Sequence, residues 1–172
     1  MIYPLSGRTA QRGVGLLEVL IALLVLAVGV LGFAGLQMTA LNQSDEANHR
    51  AAAVLIAQDA IERFELNPGK REAYWAANWN AGTVGATPPG TCVDPAEACT
   101  ADQVVAWDIA QLSWQAANLL PGGRVTASDC EFNNLLTCVV VSWDEQDPAE
   151  CMNNDGILVA ADSRCFVMEI AR

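Results

Sequence analysis

The chain has 172 residues, which leaves room for one globular domain beyond a single membrane helix. Its formal net charge is −11 at pH 7, from nine basic and twenty acidic residues. Because such a surface repels phosphate backbones, the composition predicts no direct nucleic-acid binding.

The first predicted element is a long apolar helix near the N-terminus. No residue from Val19 to Leu41 is charged, and at about 1.5 Å per residue a helix of this length can cross a hydrocarbon core of roughly 30 Å. We therefore assign residues 14–36 to a transmembrane half of the helix. Arg8 and Arg12 precede it without an acidic neighbour, which predicts that this end stays in the cytoplasm while the rest crosses outward.

A single carboxylate, Glu18, lies at the start of this apolar run. An ionised carboxylate at mid-bilayer costs roughly 2.5–3.5 kcal/mol, so it favours a partner cation. The segment contains no cation after Arg12. Cleavage after Gly13 would keep the helix and create a new ammonium at Val14, one helical turn from Glu18. The alternative is an uncleaved single-pass anchor with an incidental glutamate.

The stretch QRG followed by VGLLEVLIALLVLAVGVLG resembles the class III signal of type IV prepilins. That signal has a short basic leader, a glycine before the cut and a glutamate as the fifth mature residue. The resemblance implies that residues 1–13 are a leader removed by prepilin peptidase after Gly13, and that Val14 is the N-methylated first residue. It also implies that Glu18 attracts the amine of a neighbouring subunit during assembly. Val14 departs from the family pattern, in which phenylalanine is commoner.

Beyond the apolar run the helical pattern continues, with residues stepping by three and four: Ala47, Ala51, Val54, Leu55, Gln58, Ile61 and Glu65. Pro68-Gly69 predicts that the helix stops near Asn67, so a continuous helix is expected over about Val14 to Leu66. Residues 37–67 then form its amphipathic half. One face of this half is expected to pack against a globular head, residues 68–172.

The head is predicted to begin with a connecting loop. Residues 67–99 are rich in Gly, Pro, Ala and Asn, and GTVGATPPGT is the clearest break in any periodic pattern. The loop carries Trp75 and Trp79. We expect these two side chains to fill a groove over the core instead of marking a binding site.

A second helix is predicted after Thr100 or Asp102 as the N-cap, and it ends at Pro121–Gly123. One apolar stripe at helical spacing consists of Val105, Ile109, Leu112, Ala116 and Leu119. Trp107 and Trp114 lie on the opposite side of this helix. A helix that is apolar on two sides is either buried between two layers or offers one side to a partner. Trp107 and Trp114 are therefore a candidate partner face.

Short strand candidates follow, separated by polar turns: RVTAS, LLTCVVVSW, GILVAA and CFVMEIA. In the last of them Phe166, Met168 and Ile170 alternate with Val167 and Glu169, as a half-buried antiparallel strand requires. A long N-terminal helix against a small antiparallel sheet is an α+β arrangement. It is also the type IV pilin fold that the prepilin resemblance implies.

All six cysteines follow residue 91: Cys92, Cys99, Cys130, Cys138, Cys151 and Cys165. An even number beyond a membrane segment, in an oxidising compartment, is typical of disulfides. Sequence allows fifteen pairings, of which the sequential one, Cys92–Cys99, Cys130–Cys138 and Cys151–Cys165, needs the shortest loops. The alternative of a zinc site lacks C-x-x-C spacing, and the only histidine, His49, lies on the helix. We therefore expect no metal.

Other chemistry finds little support in the sequence. There is no phosphate-binding glycine loop with a lysine and no G-x-S-x-G, so we expect neither an enzyme nor a cofactor. The acidic runs at 144–150 and 153–156 offer oxygen ligands for calcium, with solvated turns as the simpler alternative.

The segment AAAVLIAQDAIERFELN, residues 51–67, resembles the minor pilins of the PilV group, and WQAANLLPGG and VVVSWDE are similar to that group as well. The resemblance implies a minor pilin held in the bacterial inner membrane with a periplasmic head and incorporated into the type IV pilus. Its implied partners are other minor pilins, the major pilin and prepilin peptidase, in a complex that starts or caps the pilus. A tip adhesin is a further partner that this interpretation admits. The alternative is a minor pseudopilin of a type II secretion system, whose N-terminus is almost the same.

Overall fold

The computed structural model describes residues 13, 15–79, 81–90, 92, 98–158 and 163–171. Its helices are α1 (Leu16–Leu66), α2 (Arg71–Trp75) and α3 (Ala101–Leu119), with 3₁₀ turns at Pro68–Lys70 and Pro148–Glu150. Its strands are β1 (Arg124–Cys130), β2 (Asn133–Ser142), β3 (Met152–Asn153), β4 (Gly156–Ile157) and β5 (Cys165–Ala171). The chain forms two compact units, Met1–Ser44 and Asp45–Arg172, and the boundary between them falls within α1. The predicted α+β class is confirmed.

Helix α1 has 51 residues and ends at Leu66, where the sequence predicted it to end. Pro68 explains the stop, because proline disfavours a helical conformation in the residue before it and lacks an N–H donor. Within the second unit α1 buries one stripe at spacings of three and four residues: Ala53, Ile56, Ala57, Ala60 and Phe64. Small residues dominate this stripe, which lets the helix approach the layer beneath it closely.

The main sheet is antiparallel with the strand order β1-β2-β5. Val139 at its centre lies opposite Ala127 on β1 and Met168 on β5. One face of the sheet joins α1 and α3 in the main core, through Val125, Val139 and Val141 among others. The other face carries a smaller core, which consists of Cys130, Cys138, Val140, Cys151, Met152 and Cys165. Because β2 is covered on both faces, its run of three valines is buried without alternation.

The loop predicted over residues 67–99 contains α2, a helix of only five residues. Such a short helix lacks the two or more turns that an apolar periodicity needs to be recognised. The strand predicted from GILVAA is reduced to β4, which pairs only with β3, and residues 159–162 lie outside the described part of the chain. Leu119, a member of the predicted apolar stripe of the second helix, is 60% exposed and lies in the last turn of α3.

The start of α3 was predicted correctly. Thr100 is the N-cap residue, and its Oγ1 accepts a hydrogen bond from the Gln103 backbone N–H at 3.3 Å. The Gln103 side chain in turn accepts from the Thr100 backbone N–H at 2.8 Å. This reciprocal capping box satisfies two donors that the helix itself cannot pair.

Candidate assembly segment and head surface

The first turn of α1 carries Glu18. The backbone N–H groups of Glu18 and Val19 both donate to the carbonyl of Gly15, at 2.9 and 3.3 Å. A carboxylate in the first turn interacts favourably with the unpaired N–H groups of a helix N-terminus. No ion pair within the described residues involves Glu18. Gly13 has no regular structure, and the predicted leader residues 1–12 and the predicted methylation site Val14 lie outside the described residues.

The first half of α1 exposes a continuous apolar surface. Its large apolar side chains are exposed to solvent, from Leu16 at 79% exposure to Leu41 at 62%. By length and composition this part of the helix is able to cross a membrane. Since soluble monomers rarely expose so large an apolar surface, the first unit requires a bilayer or other apolar helices around it.

The six cysteines form three disulfides with the sequential connectivity: Cys92–Cys99, Cys130–Cys138 and Cys151–Cys165. Four of the six cysteines belong to the smaller core on the outer face of the sheet. There the Cys151–Cys165 bridge ties the β3–β4 hairpin to β5, and the Cys130–Cys138 bridge closes the β1–β2 hairpin. Covalent links therefore supplement a core with few apolar residues.

Three helices meet at a buried carboxylate, Asp108 on α3. Its Oδ1 accepts from Arg63 Nη1 at 2.7 Å, and its Oδ2 accepts from the Tyr74 hydroxyl at 2.6 Å. Arg63 also donates through Nε to Asp59 Oδ1 at 2.8 Å. Burial lowers the pKa of Arg63, but its hydrogen bonds to Asp59 and Asp108 outweigh this and raise the pKa above its ordinary value. Burial, followed by the hydrogen bond to Asp108, also raises the pKa of Tyr74.

Sequence reasoning missed this network. A signal was available, because Asp59 and Arg63 are four residues apart on a helix and Asp108 is the one charged residue on the buried face of α3. The network holds α1, α2 and α3 together.

The two tryptophans of the predicted loop pack against the main core, as the sequence predicted. Phe64 on α1 contacts both, with ring centroids 6.0 Å from Trp75 and 6.4 Å from Trp79 in edge-to-face geometry. Trp79 donates its indole N–H to the Tyr74 carbonyl at 2.8 Å. These rings fix α2 and the segment after it against α1.

The candidate partner face on α3 is half-buried, and its indoles bind the chain's own loop. Trp107 donates to the Pro89 carbonyl at 3.0 Å, and Trp114 donates to the Ala86 carbonyl at 2.6 Å. The Arg63 guanidinium lies 5.3 Å from the centre of the Trp107 ring. An intrachain role, the anchoring of the loop over residues 81–90, is thus present in the structure. A partner-binding role for the two tryptophans stays a prediction.

A second polar cluster surrounds Glu46, near the start of the second unit. Glu46 Oε2 lies 2.6 Å from Arg164 Nη1 and accepts a hydrogen bond from the indole of buried Trp143 at 3.3 Å. Its Oε1 lies 2.8 Å from Arg50 Nε. Arg50 donates in addition to the Ser163 carbonyl at 2.8 Å. These contacts join α1 to the residues at the ends of β2 and β5.

The same cluster brings His49 close to two carboxylates. Ligand atoms of Glu46, His49 and Asp144 lie within 4.8 Å of one another, an arrangement that could hold a metal ion. Both carboxylates, however, form ion pairs with Arg164, and Glu46 also pairs with Arg50. A dication would have to displace these guanidiniums, so we interpret the cluster as an ion-pair network.

The two acidic runs considered for calcium are engaged in turn contacts. Asp147 Oδ1 accepts from the Ala149 N–H at 3.0 Å and so caps the second 3₁₀ turn. Asn153 Oδ1 accepts from the Asp155 N–H at 2.9 Å. Asx turns of this kind give Asp147 and Asn153 a structural role in these turns.

Among the described residues, every arginine and lysine forms an ion pair with a carboxylate: Arg50, Arg63, Lys70, Arg71, Arg124 and Arg164. Since acidic residues outnumber basic ones, the charge left over on the head is negative. An acidic head of this kind would repel other heads with the same charge.

Comparison with known protein families gave two adjacent matches. Residues 8–34 match the prokaryotic N-terminal methylation motif, and residues 35–110 match the family described as Type IV pilin Tt1218. No curated protein and no solved structure matched the chain.

A long apolar N-terminal helix that continues into a small α+β head is consistent with the type IV pilin fold and with both family matches. The chain is a type IV pilin with a prepilin methylation motif, and thus a component of a pilus or pseudopilus. Pilins are structural proteins and not enzymes. They assemble with other pilins and are processed by prepilin peptidase, which accounts for the combination of motif and fold.

Proposed function

We propose that this protein is a minor pilin of the PilV group, which joins other minor pilins in the complex that starts or caps a type IV pilus. The charge of the head is the observation that carries the minor role. All described cations are paired within the head and the remainder is acidic. A filament built mainly from this chain would stack like charges, whereas one copy among different pilins avoids that repulsion.

The proposed pathway begins in the inner membrane, with a single pass through α1 and the head in the periplasm. Prepilin peptidase cuts after Gly13, and Val14 becomes the methylated N-terminus. The exposed apolar half of α1 then leaves the bilayer for a filament core, where it meets other helices of the same character. Glu18 pairs there with the amine of an adjacent subunit instead of remaining an isolated charge.

Deletion of the gene tests this proposal against the pseudopilin alternative. The deletion strain should show few surface pili by electron microscopy while exported enzymes still reach the medium. Quantitative mass spectrometry of sheared pili from the parent strain should find this chain far below the major pilin in amount. Normal pili together with enzymes retained in the periplasm would instead establish a secretion pseudopilin. Amounts equal to the main subunit would contradict the minor role.

A further inference from the structure

The outer edge of β1 lies at the bottom of a surface groove. β1 pairs only with β2 in the main sheet, so alternate N–H and C=O groups of β1 face away from the sheet. Two cavities follow this edge, one along the half that contains Thr126 and the other along the half that contains Asp129. Both are lined by Ser128 and Glu131, so together they form one groove along the strand.

The groove has a wall on each side. Trp75 and Trp79, which pack against the main core, line one side. The 3₁₀ turn at Pro148–Glu150 and Met152 of the smaller core line the other. An unpaired strand edge between two fixed walls fits an extended peptide.

The charge of the groove selects the chemistry of that peptide. Exposed Glu72 and Glu131 line it together with Asp129. Arg124, the basic residue of the groove, is paired with Asp147. Lysine or arginine side chains on an incoming strand would therefore find the carboxylates of Glu72 and Glu131, which form no ion pair within the described residues, next to the backbone edge.

We propose that the β1 edge binds an extended, basic segment of another protein, which adds to the main sheet as a fourth strand. Backbone hydrogen bonds to β1 would supply binding, and the carboxylates of Glu72 and Glu131 would select for positive charge. A second copy of this chain is a poorer occupant, because its described basic side chains already form ion pairs and its surplus charge is negative. The binding needs neither leader cleavage nor pilus assembly, so it can be tested independently of the proposed function.

The test uses the full chain in detergent micelles and a labelled peptide of alternating lysine and valine as long as β1. Fluorescence anisotropy should show saturable binding of this probe. A matched glutamate–valine peptide should not bind. A lysine–proline peptide, which keeps the charge but loses half of its backbone donors, should bind much more weakly. Amide hydrogen exchange should slow in β1 when the lysine–valine probe is bound, and not in β5.

The matched variants separate the groove from the general acidity of the head. Glu72→Gln with Glu131→Gln should weaken binding about fivefold, as expected for the loss of two exposed ion pairs. The control, Glu62→Gln with Glu169→Gln, removes the same charge from exposed positions on α1 and β5 and should leave the affinity unchanged. Equal weakening in both variants, equal binding of the lysine–proline peptide, or no binding of the lysine–valine peptide would each overturn the proposal. The last result would mean that these carboxylates protect the edge from pairing.

Discussion

Arg63 on α1 and Asp108 on α3 form an ion pair with a distance of 2.7 Å between Nη1 and Oδ1, across 45 residues of sequence. The Asp108 side chain is only 5% exposed. Its second oxygen accepts a hydrogen bond from the hydroxyl of Tyr74 on α2, so one carboxylate joins three helices. This explains why a charged residue occupies the buried face of α3.

Removal of this carboxylate should destabilise the head. We expect Asp108→Ala to lower the free energy of unfolding by about 3 kcal/mol, because it leaves the largely buried Arg63 cation and the Tyr74 hydroxyl without their partner. The measurement is urea unfolding of a soluble fragment that begins at residue 41. Asp102→Ala is the control: it removes an exposed ion pair with Lys70 and should cost less than about 1 kcal/mol. Similar losses of unfolding free energy in the two variants would show that the contacts of Asp108 contribute no more than an exposed ion pair.

The same site predicts a loss of stability at high pH. Burial and the hydrogen bond to Asp108 raise the pKa of Tyr74 in the folded state above its unfolded value of about 10. The phenol therefore contributes its full stability below about pH 10, and this contribution falls as the pH rises further. Tyr74→Phe should lower the unfolding free energy at neutral pH by about 1–2 kcal/mol and flatten the decline above pH 10.

Urea unfolding of the fragment and of Tyr74→Phe at several alkaline pH values measures this difference. The fragment lacks Tyr3, so Tyr74 is its only tyrosine and tyrosinate absorbance reports its ionisation directly. If Tyr74 in the folded fragment ionised at the same pH as a free phenol, the buried, hydrogen-bonded environment assigned to its hydroxyl would be wrong.

The disulfides should differ in their contribution to stability. Cys151–Cys165 closes the longest of the three loops and lies in the smaller core, where both sulfurs are largely buried. We expect its replacement by two alanines to cost on the order of 3 kcal/mol, and replacement of the surface Cys92–Cys99 bridge to cost less. Melting temperatures of the two double variants provide the comparison, and thiol titration of the native parent should find no free thiol. Two or more titratable thiols would contradict the pairing.

Prepilin peptidase should cleave the chain directly after Gly13, the glycine before the apolar run. Mass spectrometry of protein from cells that contain prepilin peptidase should find a chain that starts at methylated Val14. Gly13→Val should leave residues 1–13 attached, because a branched side chain then stands at the cleavage position. Gly15→Val, two residues away, is the matched control and should still be cut. An N-terminus at any other residue would contradict the assigned leader.

Glu18 should matter for assembly more than for insertion. Glu18→Gln keeps the shape of the side chain and removes its charge, so we expect normal membrane insertion and cleavage but weaker recruitment into pili. Co-purification with other pilins and counts of surface filaments measure recruitment. Glu62→Gln, an exposed change in the second unit, is the control for loss of one charge. Normal assembly of cleaved Glu18→Gln would leave the glutamate as part of a recognition sequence only.

The sequence alone determined the parts of this protein that depend on local rules. The apolar run, the helix stop before Pro68 and the Thr100 cap follow from hydropathy, the geometry of proline and the capping box, each of which acts over a few neighbouring residues. The strands β1, β2 and β5 were recognisable for the same reason, since their composition and turns are local signals.

Only the tertiary structure decided which distant side chains meet. Asp108 is one acidic residue among twenty until folding places it beside Arg63 and Tyr74. The strand order β1-β2-β5 likewise leaves the β1 edge open beside Trp75 and Glu131, although no spacing in the sequence relates these two residues. The reason is physical: burial, ion pairing and edge exposure depend on the packing of several elements at once, whereas propensity depends on each element by itself.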